Sequence, residues 1–251
     1  MRFGLLGESI SHSKSPQLFK AAYNSKRDTY ELLDFSSLEK GLEFALLNDF
    51  KGINVTTPFK EDIDKYVDVY DVYSERILAI NLLMFEGEKI HAFNTDYFGV
   101  TGSLQGYVKM GMSALVIGYG GAGKAAAVAL QDMGLDVTVS NREAFKAEPH
   151  TISKGMGYCN LKDVMECAKE SDVIVDTLPV KHTLLSGLDF SNKIVLEARY
   201  KNPSLNSAVK REGGIYISGI AWLINQAVYS FLIFTGRKPN IEAMEKMAAN
   251  W

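Results

Sequence analysis

The chain's 251 residues, 47% of them hydrophobic, suffice for one large or two ordinary packed domains, which excludes a disordered or low-complexity protein. With 27 Lys plus Arg against 30 Asp plus Glu, the formal charge of -3 excludes a general attraction to nucleic acid or an anionic membrane, so an anionic ligand has to meet local positive charge. The two cysteines, Cys159 and Cys167, in a chain too large to need covalent staples, read as packing residues in a reducing, cytoplasmic setting, and no Cys or His spacing forms a metal site.

From the N-terminus, short β-like runs at Phe3 to Leu6, Tyr30 to Asp34 and Gly52 to Val55 alternate with helical stretches at Pro16 to Ser25, Leu38 to Asn48 and Phe59 to Val67. That alternation predicts a parallel sheet covered by helices. Leu82 to Phe85 and Lys89 to Ala92, joined across Glu86-Gly87-Glu88, predict a hairpin forming an antiparallel edge of the same sheet. A helical stretch near residue 101 leads to the apolar strand Ala114 to Ile117, the turn Gly118-Tyr119-Gly120-Gly121-Ala122-Gly123, an Ala-rich helix to Met133, and a strand at Val137 to Ser140. Strands at Val173 to Asp176, Ile194 to Glu197 and Ile215 to Ser218 continue the alternation into an open doubly wound sheet. Helices from Ala221 to Phe234 and from Ile241 to Ala249 close the chain. The most apolar window, Ile220 to Phe234, is broken by Asn225 and Gln226 and falls short of the roughly 20 apolar residues of a membrane span.

The glycine turn carries the strongest local signal. Gly118, Gly120 and Gly121, between an apolar strand and a helix, let backbone amides approach a pyrophosphate at the positive end of the helix dipole; a tight turn without a ligand is the alternative. About twenty residues on, where an NAD-specific fold places a carboxylate for the ribose hydroxyls, the chain has Ser140-Asn141-Arg142. Arg142 and Lys146 suit a 2'-phosphate, which favours NADP over NAD, and Glu143 beside them opposes one. In Asn54-Val55-Thr56-Thr57-Pro58-Phe59-Lys60, Pro58 is read as opening a helix with Lys60 in its first turn. A cation there opposes the helix dipole, a placement that points to function, with a plain surface lysine as the alternative. Asp96, in Asn94-Thr95-Asp96, is either a second functional group or a helix cap. The hydroxyls of Ser9, Ser11, Ser13 and Ser15 before Pro16 suit a carboxylate cradle or ordinary N-capping.

Taken together and in order, these segments resemble the shikimate dehydrogenase family over essentially the whole chain. The resemblance rests on Ser13-Lys14-Ser15-Pro16, the run from Asn54 to Lys60, Asn94-Thr95-Asp96, the turn at 118 to 123, Asn141-Arg142, and Gln226-Ala227. It implies NADP-dependent, reversible reduction of 3-dehydroshikimate to shikimate in aromatic amino-acid biosynthesis. It also implies an α/β fold in which residues 1–100 and 221–251 form a substrate-binding catalytic domain and residues 101–220 a Rossmann dinucleotide-binding domain, the C-terminal helices returning to the first. By similarity, Lys60 and Asp96 would form the catalytic pair. Ser13, Ser15, Thr56, Asn81, Tyr200 and Gln226 would bind substrate, and Gly118, Gly120, Gly121, Ala122, Asn141, Arg142, Lys146 and Gly219 would bind cofactor. Partners would be the small-molecule substrate and, at most, a second copy of the chain.

Some positions depart from the family pattern. Ile80-Asn81-Leu82 stands where Val-Asn-Thr is usual, Asp176-Thr177-Leu178 where Asn-Ala-Thr is usual, and Ala198 where a Met is usual. Ser218 and Ala221-Trp222 replace Asp and Gly-Met, placing a bulky ring near the expected cofactor site, and Glu143 replaces a Thr. A quinate or related polyol-acid dehydrogenase using NAD or NADP is the enzymatic alternative. A non-catalytic dinucleotide-binding regulatory protein is the other, and the intact Lys60 and Asp96 speak against it.

Overall fold

The computed structural model describes residues 1–251, which divide into two compact units, Met1–Asp96 with Ile224–Trp251, and Tyr97–Leu223. Each has its own six-stranded sheet.

In the first unit, β1 (Arg2–Gly7), α1 (Ser15–Tyr23), β2 (Thr29–Asp34), α2 (Leu38–Leu47) and β3 (Phe50–Val55) form the expected alternation, with β2 and β3 parallel to β1 on either side. The almost fully buried run of β1 and β3 is what a strand covered on both faces requires. Leu6, Ile53 and Val55 meet Leu38, Leu42 and Ala45 of α2 on one face. On the other face Phe3 stacks on Phe234, and Phe19 of α1 meets Phe231 edge to face.

Two expectations for this unit need correction. The stretch Phe59 to Val67 is not an α-helix: a turn carries the chain past Lys60, and only Asp62–Tyr66 winds into a 3₁₀ helix. The apolar spacing of Phe59, Ile63 and Tyr66 imitates a helix, but the Lys60 carbonyl accepts from the Ile80 amide at 2.9 Å instead of serving the chain's own helical ladder. Lys60 therefore does not sit at the start of an α-helix, and the dipole argument for it falls. The hairpin of β5 (Leu82–Glu86) and β6 (Lys89–Phe93) is also not the sheet edge, because the short β4 (Val69–Tyr70), which leads into α3 (Val72–Ile77), pairs outside β6.

The second unit starts within α4 (Asp96–Leu104) and runs through β7 (Ser113–Ile117), α5 (Gly121–Asp132), β8 (Asp136–Asn141), α6 (Ala144–Ser153), β9 (Gly157–Asn160), α7 (Val164–Glu170), β10 (Val173–Asp176), β11 (Ile194–Glu197), α8 (Asn206–Arg211) and β12 (Ile215–Ser218). All its strand pairs are parallel, in the order β12-β11-β10-β7-β8-β9. This is the Rossmann order, whose direction of winding reverses between β7 and β10 and so leaves a crevice at their C-terminal ends. α9 (Gly219–Thr235) and α10 (Ile241–Ala248) complete the chain, α10 packing on α1. No helix is long and apolar enough to cross a membrane.

Candidate active site

In the first unit, the turn after β3 and the start of α4 bring Lys60 and Asp96, 36 residues apart in sequence, into an ion pair. Their side chains are 16% and 9% exposed, so the pair is largely shielded from competing water. A charge-assisted bond in such a setting is stronger and better oriented than one on the surface.

Beside the pair lies a connected set of buried polar groups. Asn81, 3% exposed, accepts from the Thr95 amide at 2.7 Å and donates through Nδ2 to Thr95 Oγ1 at 3.1 Å and to Gln226 Oε1 at 3.5 Å. Thr95 Oγ1 also lies 3.2 Å from Gln226 Oε1 and 2.8 Å from Ser230 Oγ. Asn54 Nδ2 donates to the Asn81 carbonyl at 3.0 Å and to Ser230 Oγ at 3.1 Å, and its own oxygen accepts from the Tyr30 hydroxyl at 2.8 Å. Burial raises the Tyr30 phenol far above its usual range, so it stays a donor. Thr95, Asn54, Ser230 and Tyr30 were not singled out individually from sequence. The usable signal was a polar residue within an otherwise apolar strand or helix, as at Asn54 and Ser230.

The other residues expected around the substrate divide by unit. Ser13 Oγ accepts from the Ser15 amide at 3.3 Å and donates to Ser15 Oγ at 3.2 Å. Lys14, not a serine, occupies the N-cap of α1 and makes no side-chain cap bond. Thr56, just past β3, packs its methyl against Gly7, where a Cβ would approach to 2.5 Å. Tyr200 belongs to the second unit and is half-buried, which raises its phenol. The loop that carries it is anchored by the fully buried Glu197, which accepts from the Leu205 amide at 3.1 Å and from the Tyr216 hydroxyl at 3.0 Å and pairs with Arg199.

The glycine turn of the second unit is required by its geometry. Gly118 has φ 96°, in the left-handed region, and a Cβ there would come within 2.6 Å of Thr177 Oγ1. Gly123 is still tighter: a Cβ would stand 2.1 Å from the Gly118 carbonyl oxygen, so only glycine lets α5 close onto β7. Gly120 caps α5 without a side-chain bond, and no acidic residue occupies the first turn, so Gly121 and Ala122 open a helix whose first amides suit an anion. Asn141 ends β8, and Arg142 projects with 85% of its side chain exposed, near Lys146 and Glu143. Gly219 opens α9 where a Cβ would meet the Ala198 carbonyl at 2.2 Å. These residues could hold a dinucleotide, the turn offering backbone amides to a pyrophosphate and Arg142 a cation to the adenosine end.

Two departures acquire structural explanations. Asp176 does not present a free carboxylate: it accepts from His182 Nε2 at 2.8 Å and from the Leu178 amide at 3.0 Å. His182 Nδ1 in turn accepts from the Leu184 amide at 3.3 Å, which assigns the ring proton to Nε2. Asp176 thus fixes the loop after β10. Trp222 is 5% exposed and lies over Gly99, where a Cβ would meet its Cδ1 at 2.4 Å. The expected bulky ring is a packing element of the second unit, not an open face.

A Rossmann sheet with this turn, in a chain that also carries a shielded lysine–carboxylate pair, defines a dinucleotide-binding α/β protein with oxidoreductase equipment. Residues 5–83 match the shikimate dehydrogenase substrate binding domain, residues 222–246 the shikimate 5'-dehydrogenase C-terminal domain, and residues 110–184 the NADPH-binding domain of acetohydroxy acid isomeroreductase. The chain is 35% identical to the shikimate dehydrogenase (NADP(+)) of Natronomonas pharaonis, covering 97% of each, and 32% identical to that of Archaeoglobus fulgidus, covering 98% of this chain and 96% of the relative. The shikimate 5-dehydrogenase of Thermus thermophilus, solved in complex with NADP(H) and shikimate, superposes with a TM-score of 0.86 at 28% identity, covering 100% of this chain and 99% of that one. The chain belongs to the shikimate dehydrogenase family.

Proposed function

We propose that this chain reduces 3-dehydroshikimate reversibly to shikimate with NADPH, in aromatic amino-acid biosynthesis and in the cytoplasm. Its relatives' names and the NADP(H)- and shikimate-bound neighbour support the activity. The observation that carries the reading in this chain is the shielded Lys60–Asp96 ion pair beside the Asn81–Thr95–Gln226 network. In this reading the first unit holds the substrate and the second the dinucleotide.

NADPH, when bound, supplies the hydride to the ketone carbon. Negative charge then develops on the ketone oxygen, and the Lys60 ammonium donates the proton that neutralises it, giving the alcohol. Asp96 holds that ammonium in orientation through their shielded ion pair. In the oxidative direction Lys60 takes the proton back. Asn81 and Gln226, both held through Thr95, would bind ring hydroxyls, with Thr56 adding a hydroxyl from the same unit, and Tyr200 of the second unit would be a further substrate residue. Ser13 and Ser15, already hydrogen-bonded to each other, would receive the substrate carboxylate. Gly118, Gly120, Gly121 and Ala122 would admit the pyrophosphate, Asn141, Arg142 and Lys146 the adenosine 2'-phosphate, and Gly219 the nicotinamide end.

The test is the rate of cofactor reduction with shikimate or quinate as donor and NADP or NAD as acceptor. Shikimate with NADP is expected to give the highest kcat/KM. A higher kcat/KM with quinate would move the chain to the quinate branch, and no turnover with any pair would remove the enzymatic reading.

A further inference from the structure

The turn from β8 into α6 holds three charged side chains in five residues. Glu143 is the N-cap residue of α6, and its carboxylate pairs with Lys146 one turn later and lies 3.9 Å from the Arg142 guanidinium. Lys146 and, to a lesser degree, Arg142 hold the Glu143 carboxyl below the usual carboxylate range, so it is ionised throughout the neutral range. Lys146 also lies over the Phe145 ring, 5.5 Å from its centroid. Both cations are largely exposed, at 85% for Arg142 and 65% for Lys146, and both are within reach of one internal anion.

A 2'-phosphate approaching these cations finds a carboxylate on the same donors. The two anions repel each other, and the phosphate must displace Glu143 from Lys146 or share the lysine with it. A ribose 2'-hydroxyl meets the opposite situation, because a carboxylate accepts from it, the role an acidic residue plays at this place in NAD-binding folds. We propose that Glu143 is a specificity-determining residue, an internal competitor for the 2'-phosphate that narrows the chain's preference for NADP over NAD. The proposal rests on the reading of Arg142 and Lys146 as the 2'-phosphate clamp. It concerns only the adenosine end and leaves the pyrophosphate turn and the Lys60–Asp96 pair unchanged.

Calorimetric binding of two inert fragments to the full chain tests it without turnover. The fragments are 2',5'-ADP, which carries the 2'-phosphate, and 5'-AMP, which does not. In Glu143→Gln and Glu143→Thr the affinity for 2',5'-ADP is expected to rise about five- to tenfold, with 5'-AMP unchanged or slightly weaker, so the ratio between them widens. In Arg142→Ala the ratio is expected to shrink. If Arg142→Ala shrinks the ratio but neither Glu143 variant widens it, Glu143 is not a competitor and the proposal alone is overturned. If Arg142→Ala leaves the ratio unchanged, the clamp reading fails and the proposal falls with it.

Discussion

In the proposed function the polar groups around Lys60 and those around Arg142 would serve comparable ends, fixing a charged or hydroxylated ligand, in opposite physical settings. Around Lys60 the groups are buried and connected, so each side chain has its orientation set by another before any ligand arrives. Around Arg142 they are exposed, on one short turn, with cations and an anion within reach of one another. A buried network holds a fixed geometry at the cost of making every member indispensable, whereas exposed charges are screened, adaptable and individually weak. The proposed function thus puts substrate chemistry on the rigid region and cofactor preference on the tunable one.

The largest effect should come from breaking the rigid region at its charge. Lys60→Ala is expected to lower turnover by roughly 10² or more, the scale of general acid catalysis, and to leave 2',5'-ADP affinity within about twofold of wild type. Steady-state rates and fragment calorimetry check the two halves of that statement. Next comes Asn81→Ala, which strips the buried Thr95 amide of its partner. Urea unfolding should show a loss of about 1–3 kcal/mol, the usual penalty for buried polar groups left unpaired. The smallest effect belongs to the exposed turn. Raising salt from about 0.1 to about 1 M, which shortens the screening length from roughly 10 to 3 Å, should weaken 2',5'-ADP several-fold relative to 5'-AMP. The turnover ratio between wild type and Lys60→Ala should change less than about twofold over the same range, because a shielded pair is screened far less.

What was legible in the sequence followed the same division between local and distant. The strands of the second unit other than β9, the Gly118–Gly123 turn and the Ala-rich helix could be read because each is a local pattern whose cause is local: apolar runs, missing Cβ atoms, small residues against a sheet. Lys60 and Asp96 were legible through family resemblance, while the local argument for Lys60 was wrong, since the helix it invoked is a turn followed by a 3₁₀ segment. A hydrogen bond to Ile80, twenty positions away, decides the conformation there, and no window of adjacent residues contains it. The Tyr30–Asn54–Ser230–Thr95 chain escaped for the same reason, as it joins residues up to 200 positions apart. α6 and β9 were missed because Pro149 interrupts the one and Gly157-Tyr158-Cys159-Asn160 gives the other no apolar run.

In the proposed mechanism Lys60 and Asp96 act as one unit, the carboxylate working through the ammonium. Turnover measured for Lys60→Ala, Asp96→Asn and the double variant tests it directly. If the two act together, the double variant loses about as much as Lys60→Ala alone, because Asp96 has nothing left to orient. Losses that multiply, or a Lys60→Ala variant close to wild type, would show that the two side chains do not work as one.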